Sequence, residues 1–307
     1  MLFQNRRDIL EMLKSGKISV EEAEEQLDAL EAIGQERQLL VGAALASKGY
    51  FYSEAEAGLS AVAKQNNVQL LIEHAWWHLD TQMQQLDKLL QQELDALLIS
   101  PVDSKNIVPA IRSANEKDIP VFTMDTTAEG GQIVAHIASD NEGGGEALAL
   151  YLADLLDGKA SIGIVDEIPK VTSTIERIKG FENTLAQFPE MKIAVKVDVP
   201  RTASSTELME SMLNEHPDIN AIFGVTARVE SGIMSAIQTM RREDIAVVCF
   251  DLLPQMMRSI EEEGPLKAVI KQCPREIGSM AMRTILKYLR GEAIFVPLKI
   301  ELFTGVI

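Results

Sequence analysis

Asp125 closes the run Ile119-Pro120-Val121-Phe122-Thr123-Met124, an apolar stretch entered through a proline and therefore read as a buried strand ending on a carboxylate. In an open α/β sheet, ligands bind outside the carboxyl ends of the strands, so an acid placed there can accept hydrogen bonds from a ligand. Asp251, after Cys249-Phe250, has the same setting. Two such acids also suit a glycosidase pair, or the capping of the helices that follow. Glu73-His74-Ala75-Trp76-Trp77-His78 places two imidazoles four residues apart, but it reads as the loop after a strand and offers no third ligand at defined spacing, so no metal is expected. Its tryptophans either line a cleft mouth or pack. Gly143-Gly144-Gly145 follows Glu142 and lacks both a Gly-x-Gly-x-x-Gly pattern and a Walker-type lysine, so close backbone packing is expected rather than phosphate binding.

The elements that must position these groups alternate from Leu39 onward. Strands are expected at 39–45, 68–72, 96–99 and 119–124, and helices at 54–63, 81–92 and 104–115, with Ser104 capping the last. The alternation restarts at 161–165 and continues through strands at 193–199, 221–223, 245–250 and 268–270, with helices including 172–186, 206–213 and 275–289, then a segment at 294–303. Such alternation is the signature of parallel sheets built from βαβ units. Ahead of it, residues 1–36 read as two short helices. Ile9, Leu10 and Leu13 share a face of the first, and Ser19 with Glu22 forms a capping box on the second. Ala23, Leu27 and Leu30 continue the apolar stripe, and two helices alone cannot enclose a core, so this face needs a surface to cover it.

Composition narrows the function. The 307-residue chain is 46% hydrophobic and 24% charged, ordinary for a globular protein, and long enough for two lobes. Its formal charge of −17 disfavours nucleic acid. Residues 1–36 carry four basic and nine acidic residues, which argues against a DNA-binding head. Cys249 and Cys273 make no disulfide framework. No stretch reaches the ~20 apolar residues a membrane span needs, and acidic residues recur before a secretory core could form, so a cytoplasmic location is expected, or a periplasmic or extracellular one if the native start is truncated.

The strand ending at Asp125, the run His136-Ile137-Ala138-Ser139-Asp140-Asn141 and the glycines after it resemble the type I periplasmic sugar-binding proteins of the ribose-binding kind, whose fold also forms the effector domain of lac-repressor-type regulators. The resemblance covers nearly all of residues 37–307. It implies two Rossmann-like lobes with parallel sheets joined by a multi-strand hinge, behind a helical hairpin at 1–36. The first lobe would take 37–139 with about 273–300, and the second 140–272 with about 301–307. Position by position it implies stacking aromatics at Phe51 and Tyr52 and a first-lobe acid at Asp125. In the second lobe it implies Arg177 within Glu176-Arg177-Ile178-Lys179-Gly180-Phe181, Asp251, and a hinge glutamine at Gln272.

Departures accompany the match. Thr226-Ala227 stands where the family has Asn-Asp, Thr126 replaces the arginine after the first acid, Pro200 or a neighbour replaces a second-lobe aromatic, and the first strand runs into Ser47 without the usual asparagine. Thr226 is kept among the ligand-binding candidates, with Ser47, Trp76 and Thr126 behind it. The expectation is therefore a non-enzyme without cofactor that binds a monosaccharide-like ligand, not ribose itself, by hinge closure as a cytoplasmic sensor. Residues 1–36 would dock a protein partner or a second copy. Alternatives are the substrate-binding component of a sugar ABC transporter, a transcriptional regulator acting through a partner and, behind these, a glycosidase-type enzyme.

Overall fold

The computed structural model describes residues 6–36, 38–201, 204–261, 264–294 and 301–304. The chain opens with α1 (Arg6–Lys14) and α2 (Val20–Glu36), which pack on each other and bury Ile9 and Ala23. The capping box forms in both directions: Glu22 N–H donates to Ser19 Oγ at 3.1 Å, and Ser19 N–H to Glu22 Oε2 at 2.8 Å. The side chain of Leu30, assigned to the same stripe, lies outside the described residues.

The first sheet follows as β1 (Leu39–Leu45), α3 (Tyr50–Gln65), β2 (Val68–His74), α4 (Leu79–Leu89), β3 (Ala96–Ile99), α5 (Val108–Asn115), β4 (Val121–Met124) and β5 (Ala135–Ile137). Its strands run parallel in the order β2-β1-β3-β4-β5. β5 is only three residues long, too short for its alternation to be read. The chain then moves to α6 (Asn141–Leu155), β6 (Lys159–Ile168), α7 (Thr172–Leu185), β7 (Glu190–Pro200), α8 (Thr206–Glu215), β8 (Ala221–Gly224), α9 (Ala227–Met240), β9 (Ala246–Phe250), α10 (Pro254–Glu261) and β10 (Leu266–Lys271). These strands are parallel in the order β7-β6-β8-β9-β10, the same winding as the first sheet. After α11 (Pro274–Leu289), which packs on α3, the strand β11 (Glu301–Phe303) joins the second sheet antiparallel to β10. Most of the segment expected at 294–303 lies outside the described residues. The fold is thus the two-lobed α/β architecture expected, with one antiparallel edge strand added.

Both faces of each sheet are covered, which is why the strands read as continuous apolar runs rather than alternating ones. α3 and α11 close one face of the first sheet over Phe122, Met124 and Leu98, while α4 and α5 close the other over Leu97 and Ile99. In the second, α6 and α7 cover Ile164, Phe223 and Phe250, and α8 to α10 cover Val165, Ile222 and Val247.

Two helix pairs approach so closely that only glycine fits between them. A Cβ on Gly58 would lie 1.9 Å from the Arg275 carbonyl oxygen, joining α3 to α11. A Cβ on Gly145 would lie 2.0 Å from the Arg177 carbonyl oxygen, and one on Gly180 2.0 Å from that of Glu142, joining α6 to α7. Of the glycine run, the expected close backbone packing is found at Gly145, while Gly144 faces the Phe250 ring and Gly143 the Asp140 carboxylate. Gly145→Ala should accordingly force α6 and α7 apart and cost about 1–3 kcal/mol in urea denaturation. An unchanged midpoint would contradict this helix contact.

Candidate functional site

Helix α3 starts four residues earlier than the sequence pattern indicates, so Phe51 and Tyr52 sit in its first turn, directly after the end of β1 and the buried Ser47. Tyr52 is buried and donates its hydroxyl to Asp125 Oδ2 at 2.6 Å. Its ring meets Phe51 edge-on at 5.2 Å and Trp77 at 5.7 Å between centroids. Trp76 and Trp77 both carry positive φ, 52° and 62°. This reverses the chain so that Trp77 turns inward while Trp76 stays 59% exposed, away from the aromatic row. His74 pairs with Glu56 at 2.8 Å, and His78 precedes α4. No cluster of metal ligands occurs among the described residues.

The two strand-end acids share one unusual backbone. Asp125 after β4 and Asp251 after β9 each have φ of 70°, a left-handed conformation that Asp tolerates better than most residues. Each donates its N–H to the neighbouring strand, Asp125 to Ile137 at 2.9 Å and Asp251 to Ile270 at 3.0 Å. β4 and β9 occupy corresponding positions in their sheets. The carboxylates engage side chains from distant segments: Asp251 accepts from Gln272 Nε2 and, at 3.4 Å, from Arg177 Nη1.

Arg177 on α7 is 3% exposed, not the solvated helix arginine that its acidic neighbours Glu176 and Glu182 would allow. Its Nε donates to Asn141 Oδ1 at 2.9 Å, Nη1 donates to the Val225 carbonyl at 3.0 Å, and the guanidinium lies 4.2 Å over the Phe250 ring. Gln272 is held from its other end by Ser139 Oγ at 2.6 Å. Thus Tyr52 pairs with Asp125, and Arg177, Asp251 and Gln272 form a second group near enough for its charges to act on Asp125, with Phe51 beside Tyr52. Thr226 turns its hydroxyl to Glu167 at 3.1 Å, and Thr126 is buried against Thr172, 2.9 Å between hydroxyl oxygens.

Residues absent from the sequence reading complete the wall. Glu167, next to last in β6, pairs with Arg228 and lies 3.7 Å from Arg201 Nε. Arg201 follows β7 and lays its guanidinium 4.0 Å from the Trp77 ring. The signal for Arg201 was its place just past a strand's carboxyl end, beside the Pro200 position where an aromatic was missed. Asn141 ends the run that carries the resemblance, but its role as the partner of Arg177 depends on the α6–α7 packing and could not be read there.

Burial dominates the electrostatics. It pushes the Asp125 carboxyl up to about 6, against the favourable pull of Arg177 and the Tyr52 hydrogen bond, with nearby Asp251 adding to the rise. The Tyr52 phenol is raised by burial and then by Asp125, the buried Arg201 is lowered, and burial holds His136 down to about 4. The arrangement gathers planar charged groups from the strand ends of both sheets beside an aromatic row of Phe51, Tyr52 and Trp77.

A model described as a periplasmic binding protein domain matches residues 41–293. The chain belongs to the periplasmic binding protein family. The ribose import binding protein of Bacillus subtilis (strain 168) is 33% identical over 273 residues, 87% of this chain and 88% of that protein. The ribose import binding protein of Escherichia coli (strain K12) is 32% identical over 67% of this chain and 69% of its own length. A glucose-galactose binding protein from Geobacillus stearothermophilus superposes with a TM-score of 0.81 at 23% identity, covering 88% of this chain and 98% of that one. Residues 4–35 match a SHOCT-like domain. No helix among the described residues is long and apolar enough to cross a membrane.

The raised Asp125 carboxyl makes a prediction with a definite sign. Between its ordinary value of 3.8 and about 6, the folded chain holds this proton more tightly than the unfolded chain does. Stability from this group therefore falls as pH rises through that window, and the penalty persists above it. Asp125→Asn should raise the free energy of unfolding at pH 8 by on the order of 1 kcal/mol, seen as a higher melting temperature, and barely change it at pH 4. Equal shifts at both pH values would rule out a buried ionised Asp125.

Proposed function

We propose that this protein binds a monosaccharide-like molecule between its two lobes without chemical turnover, in the manner of the solute-binding component of a sugar ABC transporter. The observation that carries this reading is the convergence of Tyr52, Asp125, Arg177, Asp251 and Gln272 from five separate segments. A sugar presents hydroxyls at its rim and C–H patches on its faces, matched by planar bidentate groups and aromatic rings. The relatives, ribose import binding proteins among them, point the same way and favour work outside the cytoplasm. The ligand should carry fewer hydroxyls than ribose, because Thr226 and Thr126 spend their hydroxyls on Glu167 and Thr172. On this reading the lobes divide at residues 37–139 with about 273–300, and 140–272 with about 301–307.

A second reading, a cytoplasmic sensor signalling to a partner or regulating transcription through one, is favoured by the SHOCT-like hairpin that precedes the binding fold. The hairpin would then be the docking or dimerising element.

Both readings meet in one screen. A thermal-shift panel of pentoses, hexoses, deoxy sugars and polyols should contain a ligand that stabilises the chain by about 2.7 kcal/mol at 100 times its dissociation constant. Arg177→Ala should abolish that shift, and a panel without any hit would overturn the sugar assignment. Removing residues 1–36 should leave ligand affinity intact under either reading. Only the sensor reading expects the oligomeric state or partner binding to change with it.

A further inference from the structure

One oxygen of Asp125 is already engaged from within its own lobe. Tyr52 donates its hydroxyl to Oδ2 at 2.6 Å. Tyr52 lies in the opening turn of α3 and Asp125 just past β4, so this bond involves the first lobe alone. The phenol is firmly seated. Its ring belongs to the first lobe's apolar core, where Phe51 and Trp77 meet it edge-on at 5.2 and 5.7 Å between centroids. The family resemblance gives this ring a stacking role, but a ring held in the core is a poor stacking face. Half-buried Phe51 is left to cover a ligand's C–H patch.

A carboxylate has two acceptor oxygens, and a sugar edge with two adjacent hydroxyls can donate one to each. With Oδ2 held by Tyr52, the second hydroxyl at that edge meets a neutral phenol oxygen in place of a charged one. Hydrogen bonds to an ionised group are roughly twice as strong as neutral ones, so this hydroxyl gives up its water for a weaker partner. A C–H or methyl group at the same position gives up no hydrogen bond and suits the neighbouring rings of Phe51, Tyr52 and Trp77. Asp251 has its acceptors engaged as well, Oδ1 by Gln272 Nε2 and Oδ2 by Arg177 Nη1 at 3.4 Å.

We propose that Tyr52 is a specificity-determining residue whose hydroxyl stands in for a ligand hydroxyl on Asp125, and so selects a deoxy sugar over its fully hydroxylated counterpart. This selection rests on the sugar-binding reading of the site. It is distinct from the effect of Thr126 and Thr226, whose hydroxyls are withdrawn from the ligand. Tyr52 instead supplies a donor that competes with the ligand for one acceptor.

Calorimetric titration of the full chain with matched sugars tests this: D-ribose with 2-deoxy-D-ribose, D-galactose with D-fucose, and D-glucose with 2-deoxy-D-glucose. In the wild type the deoxy member of at least one pair should bind about tenfold tighter. Tyr52→Phe keeps the ring and frees Oδ2, so it should shift that ratio by about 10- to 100-fold toward the hydroxylated member. The shift should come chiefly from tighter binding of that member, which loss of a merely structural contact would not produce. Should Tyr52→Phe fail to fold, Asp125→Asn should reduce the preference within the pair. A wild type that prefers the hydroxylated member of every pair it binds, or a variant that weakens both members alike, would overturn the role of Tyr52 alone. Binding of no sugar by either protein would instead overturn the sugar reading, and the selection with it.

Discussion

A buried guanidinium sets the terms for the second lobe. Taking a charge out of water is costly unless its hydrogen bonds and counter-charge are supplied on the spot. Arg177 meets that demand with Asn141, the Val225 carbonyl, Asp251 and the face of Phe250, drawn from α6, the loop after β8, and β9 with its end. Because these partners must coincide within hydrogen-bond distance, the spacing of α6 and α7 has little freedom. The paired glycines Gly145 and Gly180 follow from that constraint, since any larger residue would move the arginine's own backbone. Satisfying one arginine thus organises the helix pair, the sheet edge and the acid at its rim.

The same logic appears in the first lobe with the sign reversed. There the buried group is a carboxylate, Asp125, and its direct partner is a neutral phenol rather than a cation. Burial pushes that carboxyl up to about 6, and the pull of Arg177 and the phenol's hydrogen bond offsets only part of the rise. Both acids adopt φ of 70° after corresponding strands, so two similarly wound sheets turn chemically similar groups toward each other. The paired strand-end acids mark a place where the fold has accepted a local backbone cost. That is the physical basis for reading it as a ligand site in a member of the periplasmic binding protein family.

Much of this was legible in the chain itself. The alternation of short apolar runs with amphipathic segments established parallel α/β sheets, because strands covered on both faces must be continuously apolar. The capping box at Ser19 and Glu22 was readable because both partners lie within one helical turn. Asp125 and Asp251 could be singled out from strand ends alone, and Arg177 and Gln272 from their motifs.

What could not be read depended on groups far apart in sequence. Ser104 has the local pattern of a cap for the following helix, yet it caps α7, 68 residues away, because the lobes meet there. Trp76 and Trp77 are identical in type and adjacent, and only two positive φ values decide that the second turns in. Arg201 carries no motif, and its place on Trp77 comes from the approach of two lobes. The sequence by itself determined which segments form strands and helices and which acids end them, since those depend on neighbours within a turn or a strand. The tertiary structure alone decided which side chains share the cleft, because that depends on how two separately wound sheets face each other.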